Sequence, residues 1–138
     1  MNLKRQPEQF MGIDDIRANG MMAHLLDALC AKKDIGHYGR LVFAMVARHF
    51  VDADELVGYL TRNPGVTEEQ ARALYLQVQG KDYSPPRRER ILGWQREQEF
   101  PICPDPDNPD ACNVYKDLKF PDGVYAHVAE YYEHAVMA

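Results

Sequence analysis

Apolar residues recur every three or four positions in the first part of the chain, and this spacing constrains the fold most. The first stripe begins at Ile13 and continues at positions 16, 22, 25, 26 and 29. Such spacing places these side chains on one face of a helix, whereas a half-buried strand needs strict alternation. Strand signals are nearly absent from the rest of the chain. The sequence therefore predicts an all-α fold, formed as a single compact multi-helix domain.

Turn and capping residues divide the pattern into six helices. We expect them at about residues 20–32, 37–50, 52–60, 67–80, 84–98 and 122–134. Thr67 and Gln70 have the spacing of a capping box. Ser84 is the predicted N-cap of the fifth helix, because two prolines follow it and suit a first turn. Residues 1–12 are predicted to be a loose arm, and residues 13–138 to be the domain.

Residues 101–112 contain four prolines, which forbid regular structure and predict an irregular loop near the C-terminus. Cys103 and Cys112 lie in this loop, and Cys30 is the third cysteine of the chain. An odd count argues against a secreted disulfide framework, and three is one short of a four-thiolate site. The pair could bind a metal or cluster, with Cys30 as a third ligand and His127 or His134 completing the site. Alternatively they are ordinary cysteines, bonded only if their Cα atoms approach within ~7 Å.

Composition and charge limit the class of protein. The chain is 46% hydrophobic and 27% charged, and no apolar run approaches the roughly 20 residues of a membrane span. The N-terminus has no apolar core of a signal peptide, so we expect a cytoplasmic protein without membrane contact. The net charge of −5 is unusual for a dedicated nucleic-acid binder. A mildly acidic domain can still present one basic face.

Two groups of residues could bind phosphate. His37, Arg40 and Arg48 fall on the second predicted helix, where a helix start that carries basic side chains suits an anion. Alternatively these are solvated residues of an ordinary helix. Tyr83, Arg87 and Arg88 surround the predicted start of the fifth helix, so that Tyr83 could stack on a base while the arginines meet phosphates. The alternative is again a solvated helix face.

Motifs of catalysis are missing from the sequence. It has no glycine-rich phosphate loop, no His-Glu-x-x-His segment and no nucleophile elbow. It also lacks a trio of acidic residues in a strand-like context that could hold two magnesium ions for nucleotidyl transfer. We therefore expect no polymerase activity from this chain alone.

Several short motifs follow one another between residues 18 and 134. In order, they are Met21-Met22-Ala23-His24-Leu25-Leu26-Asp27-Ala28-Leu29, His37-Tyr38-Gly39-Arg40, Arg62-Asn63-Pro64, Glu68-Glu69, Tyr75, Gly80-Lys81-Asp82-Tyr83-Ser84-Pro85-Pro86, Cys103-Pro104, Cys112 and Tyr131-Tyr132. In this order and spacing they resemble the C-terminal domain of the DNA primase large subunit of archaea and eukaryotes.

The resemblance implies a non-catalytic primase subunit or domain. Such a domain binds primer–template DNA or RNA and the 5′-triphosphate of the new primer, and so helps a separate primase catalytic subunit to start synthesis. The resemblance assigns the contacts with the nucleotide triphosphate to His37 and Arg40, and a further basic contact to Arg48. An alternative is a protein–protein adaptor in a replication complex that kept the fold but not nucleic-acid binding.

The chain departs from the family at the iron–sulfur cluster. The first two cluster cysteines of the family fall at Met21 and Arg88 here, and only the last two positions are kept, as Cys103 and Cys112. Cys30 lies nine residues beyond Met21, about 13 Å along a helix, and is a poor substitute. Because a cluster needs four thiolates or close equivalents, we expect no cluster. The chain then resembles the cluster-free accessory subunit of some archaeal primases.

Overall fold

Helices make up all the regular secondary structure of residues 12–126, which is the part of the chain that the computed structural model describes. After a 3-10 turn at Ile13–Ala18, they are α1 (Gly20–Cys30), α2 (Gly36–Ala47), α3 (Ala53–Leu60), α4 (Glu68–Gly80), α5 (Arg88–Gln95) and α6 (Val114–Asp117). Residues 122–126 are also helical. The prediction of an all-α fold is confirmed. The predicted arm, apart from residue 12, and residues 127–134 of the last predicted helix lie outside the described residues.

Side-chain caps fix where four of these helices begin, among them α6, which Asn113 caps. The Asn19 carboxamide oxygen accepts from the backbone N–H of Met22 at the start of α1. Asp52 caps α3 in the same way. Thr67 and Gln70 form the complete capping box that their spacing predicts for α4. Each cap satisfies a backbone N–H that the helix itself leaves without an acceptor.

Helix α5 begins later and is shorter than the sequence predicts. It starts at Arg88, so Ser84 is not its N-cap and residues 84–87 are not helical. The two prolines explain the difference, because a residue that precedes proline is driven from the helical to the extended region. Ser84 precedes Pro85, and Pro85 precedes Pro86. The helix can therefore begin no earlier than Pro86, and it begins at Arg88.

Helix α2 lies at the centre of the domain and packs against α1, α3, α4 and α5. From Val42 to Ala47 every residue is buried, so this half of α2 has no solvent face. A helix that is apolar all round is a core helix. The first half keeps an exposed side, on which His37 lies.

Two buried asparagines connect distant segments of the described chain. The Asn19 amide donates to the Asp117 carboxylate over 3.0 Å and so joins the start of α1 to α6. The side-chain carboxamide oxygen of Asn63 accepts from the backbone N–H of Ile35 over 2.8 Å. A buried polar group is stable only with a partner, and both side chains have one.

No helix within residues 12–126 is long and apolar enough to cross a bilayer.

Candidate functional site

Helices α2 and α5 run antiparallel, and this orientation decides which predicted site residues are neighbours. Near the start of α2, the ring of Tyr38 stacks on that of Trp94 with 5.5 Å between centroids. At the other end, the Arg48 guanidinium donates to the Tyr83 carbonyl over 3.1 Å, just before α5. The two helix starts therefore lie at opposite ends, and the predicted residues form two groups.

The first group lies at the start of α2, where internal acceptors already meet two of the backbone N–H groups. The Asp34 carboxylate accepts from the Gly36 N–H over 2.9 Å and from the Arg40 guanidinium over 3.2 Å. The Gln98 carboxamide oxygen accepts from the Tyr38 N–H over 2.9 Å. The bond from Gly36 is the main cause that lowers the pKa of Asp34. The Asp34 carboxylate therefore takes up one donor of Arg40 and opposes an incoming phosphate through its negative charge.

Gly36 makes this arrangement possible. Its φ is 78°, in the left-handed region, and a Cβ atom there would lie 2.5 Å from the Gln98 carboxamide oxygen. The next residue, His37, is exposed, and its ring meets that of Tyr38 edge-on with 5.2 Å between centroids. His37 is separated from Arg48 by eleven residues, about 16 Å along the helix axis. The two side chains therefore lie at opposite ends of one face of α2.

The second group lies where α2 ends and α5 begins. One Arg48 nitrogen donates to the Asp82 carboxylate over 2.7 Å as well as to the Tyr83 carbonyl. Only 12% of the Arg48 side chain is exposed, and its buried Nε has no acceptor among the described residues. A mostly buried guanidinium with a carboxylate partner fixes the loop before α5. Arg48 therefore positions Tyr83 rather than standing open to a ligand.

A cleft of about 720 Å³ lies between α2, residues 83–86, α5 and α6. Three aromatic side chains form its walls: Tyr83, Trp94 and Tyr115. Leu41 and Met45, one turn apart on α2, supply apolar lining. The Tyr115 hydroxyl donates to the Pro85 carbonyl, and burial raises the pKa of Tyr115 to about 12. The cleft therefore has an apolar lining from α2, and the aromatic rings of its walls are partly exposed to solvent.

The rim of the cleft carries Arg87, Glu89 and Arg90, all of which are exposed. The Arg90 guanidinium lies 5.6 Å from the centre of the Trp94 ring, within the range of a cation–π contact. Arg88 does not line the cleft. It donates to the Pro106 carbonyl of the proline-rich loop, so this predicted site residue supports the loop instead.

Cys103 and Cys112 form a disulfide, with 5.8 Å between their Cα atoms. Both are buried, whereas Cys30 is an exposed thiol. Of the two other positions that the resemblance gives to a cluster, Met21 is buried in the core and Arg88 binds the loop. Within residues 12–126, no three His, Cys, Asp or Glu side chains are grouped to hold a metal ion. His127 and His134, the alternative ligands, lie outside the described residues.

The sequence did not single out four residues of this site: Asp34, Trp94, Gln98 and Tyr115. Asp34 and Gln98 accept hydrogen bonds from backbone N–H groups at the start of α2. Trp94 and Tyr115 form walls of the cleft. Only Trp94 had a usable signal, because it lies one helical turn after Arg90 and so shares a face with it. The remaining three act through contacts that the spacing of residues does not reveal.

Comparison of the chain with protein-family models, with curated proteins and with solved structures finds no match in any of the three.

Proposed function

We propose that the chain is a non-catalytic accessory module of a DNA primase. It binds primer–template nucleic acid and the 5′-triphosphate of the primer in the cytoplasm, while a separate catalytic subunit joins the nucleotides. The cleft between α2 and α5 carries the proposal, because it combines aromatic walls with an arginine rim. The order of motifs that resembles the primase large subunit supplies the biological context.

The aromatic walls suit an unpaired base. Tyr83, Trp94 and Tyr115 are each partly exposed around the cleft. Stacking of a base on an aromatic side chain contributes about 1–3 kcal/mol and tolerates any base. The apolar lining from Leu41 and Met45 excludes water beneath the base. We therefore place an unpaired template base in the cleft.

The cations suit the phosphates on either side of that base. Arg90 stands on the rim next to Trp94, so that a backbone phosphate can meet its guanidinium while the base stacks. Arg40 lies near the start of α2 and is the contact proposed for the primer triphosphate, together with His37. The Asp34 carboxylate already accepts one hydrogen bond from Arg40. A triphosphate end, with its higher charge, competes with this carboxylate better than a hydroxyl end does.

Arg90→Gln should weaken binding to a primed template about tenfold, whichever group ends the primer. A tenfold change corresponds to about 1.4 kcal/mol, the scale of a lost charge-assisted hydrogen bond. Arg40→Gln should weaken binding about tenfold for the 5′-triphosphate primer and much less for the 5′-hydroxyl primer. Fluorescence anisotropy at several salt concentrations measures both effects, and affinity should fall with salt because phosphate contacts release counterions.

Arg72→Gln is the matched control, since Arg72 is a partly exposed arginine on α4 that binds Asp54 away from the cleft. It should bind as the parent does. If Arg90→Gln and Arg40→Gln both retain parental affinity, or if the parent binds no primed template, the cleft is not a nucleic-acid site.

Two observations favour a second function, the protein–protein adaptor. The start of α2 is filled by Asp34 and Gln98, and the chain carries a net charge of −5. Both features oppose phosphate binding. If the chain is an adaptor, it should bind the catalytic subunit of a primase, and substitution of the cleft arginines should not change that affinity.

A further inference from the structure

The disulfide is connected to the cleft through Cys103. The Cys103 backbone N–H donates to the Gln95 carboxamide oxygen over 2.7 Å, at the last residue of α5. Arg88, at the first residue of α5, donates to the Pro106 carbonyl inside the loop that the disulfide closes. The closed loop therefore holds both ends of the helix that carries Arg90 and Trp94.

The disulfide is also connected to the cleft through Cys112. The φ of Cys112 is 68°, a left-handed conformation that is unfavourable for residues with a Cβ atom. The next residue, Asn113, is the N-cap of α6. Tyr115 lies on the first turn of α6 and donates to the Pro85 carbonyl across the cleft. A change in the backbone at Cys112 therefore acts on a cleft wall three residues away.

We infer that the Cys103–Cys112 pair is a redox latch that sets the shape and affinity of the cleft. For its ligand, this inference rests on the proposed function. In the disulfide state, the loop holds α5, and Cys112 holds α6 with Tyr115 against Pro85. In the dithiol state, Cys112 is released from its left-handed conformation, and the wall formed by Tyr115 separates from residues 83–86.

The reaction that opens the latch is thiol–disulfide exchange with a dithiol reductant. One thiolate of the reductant attacks a cysteine sulfur and forms a mixed disulfide, and its second thiol then displaces the protein thiol. Two electrons and two protons pass to the protein, so that Cys103 and Cys112 become thiols and the reductant becomes a cyclic disulfide. Because the two cysteines are only 1% and 2% exposed, attack requires a local opening of the loop. A ligand in the cleft should therefore slow the reduction.

Hydrogen exchange of the oxidised and the dithiothreitol-reduced protein tests the latch without any nucleic acid. Both forms are prepared from Cys30→Ser, which removes the exposed thiol so that reductant and oxidant act only on the pair. We expect at least tenfold faster exchange in α6 after reduction, including the Leu118 N–H that is bonded to the Val114 carbonyl. Exchange in α3 and α4 should not change. The Cys103→Ser/Cys112→Ser variant should match the reduced protein.

The second measurement is the affinity for a primed template that ends in a 5′-triphosphate. We expect at least a threefold loss on reduction and full recovery on reoxidation. Equal exchange in both redox states overturns the latch, as does uniform acceleration that includes α3 and α4, because the disulfide then holds the whole fold. If exchange in α6 responds but neither state binds the template, the latch stands and the proposed function fails.

Discussion

Asn19→Ala should lower the free energy of unfolding by about 3 kcal/mol, although it removes a single carboxamide. The oxygen of this side chain caps α1 at the Met22 N–H, and the loss of such a cap costs about 1 kcal/mol. Its amide donates to the Asp117 carboxylate over 3.0 Å. A hydrogen bond to a charged group adds about 1.5–3 kcal/mol, and Asn19 is fully buried. Urea denaturation followed by far-UV circular dichroism measures the change.

Two variants separate the contributions of Asn19. Asn19→Asp keeps an oxygen for the cap but replaces the amide donor with a second carboxylate beside Asp117. It should lose as much stability as Asn19→Ala at neutral pH. Thr67→Ala removes the exposed cap of α4 and should cost about 1 kcal/mol. If Asn19→Ala costs no more than Thr67→Ala, the bond between the start of α1 and α6 contributes nothing.

The sequence predicts the helices well where local signals determine them. The apolar spacing and the box of Thr67 and Gln70 are properties of neighbouring residues, and α1 to α4 lie close to their predicted positions. At Ser84 two local signals conflict, since a capping residue before prolines also stands where proline forbids the helical region. In the structure the restriction before proline prevails, because residues 84–87 are not helical.

The candidate site is harder to predict because its geometry depends on distant contacts. Tyr83 and Arg87 do reach one cleft, since they belong to one short segment. The bond from Tyr38 to Gln98 spans 60 residues, and the bond from Tyr115 to Pro85 spans 30. No spacing rule reveals such pairs. The antiparallel packing of α2 and α5, which separates the two groups of predicted residues, is also a tertiary property.

Acid should destabilise the protein through His49, by about 2 kcal/mol between pH 6.5 and about pH 4. Burial is the main cause that lowers the pKa of His49 to about 4, Arg48 lowers it further, and Asp82 partly opposes them. The unfolded chain keeps a histidine pKa near 6.5, so it binds the proton first as the pH falls. The contribution is therefore fully present above pH 6.5 and is lost progressively below it. The figure is reduced from the full shift because the ring keeps some solvent contact.

His49→Leu isolates this contribution from that of the carboxylates, which also titrate in acid. The Nε2 atom of His49 is buried and has no hydrogen-bond partner among the described residues, and the ring packs edge-on against Phe120. An apolar side chain should therefore be tolerated at pH 7, and the loss of stability between pH 6.5 and 4 should become smaller by about 2 kcal/mol. His37→Gln, which removes an exposed imidazole, is the control for the loss of a histidine as such. Urea denaturation at a series of pH values decides the matter: parallel curves for the parent and His49→Leu would show that the buried ring does not resist protonation.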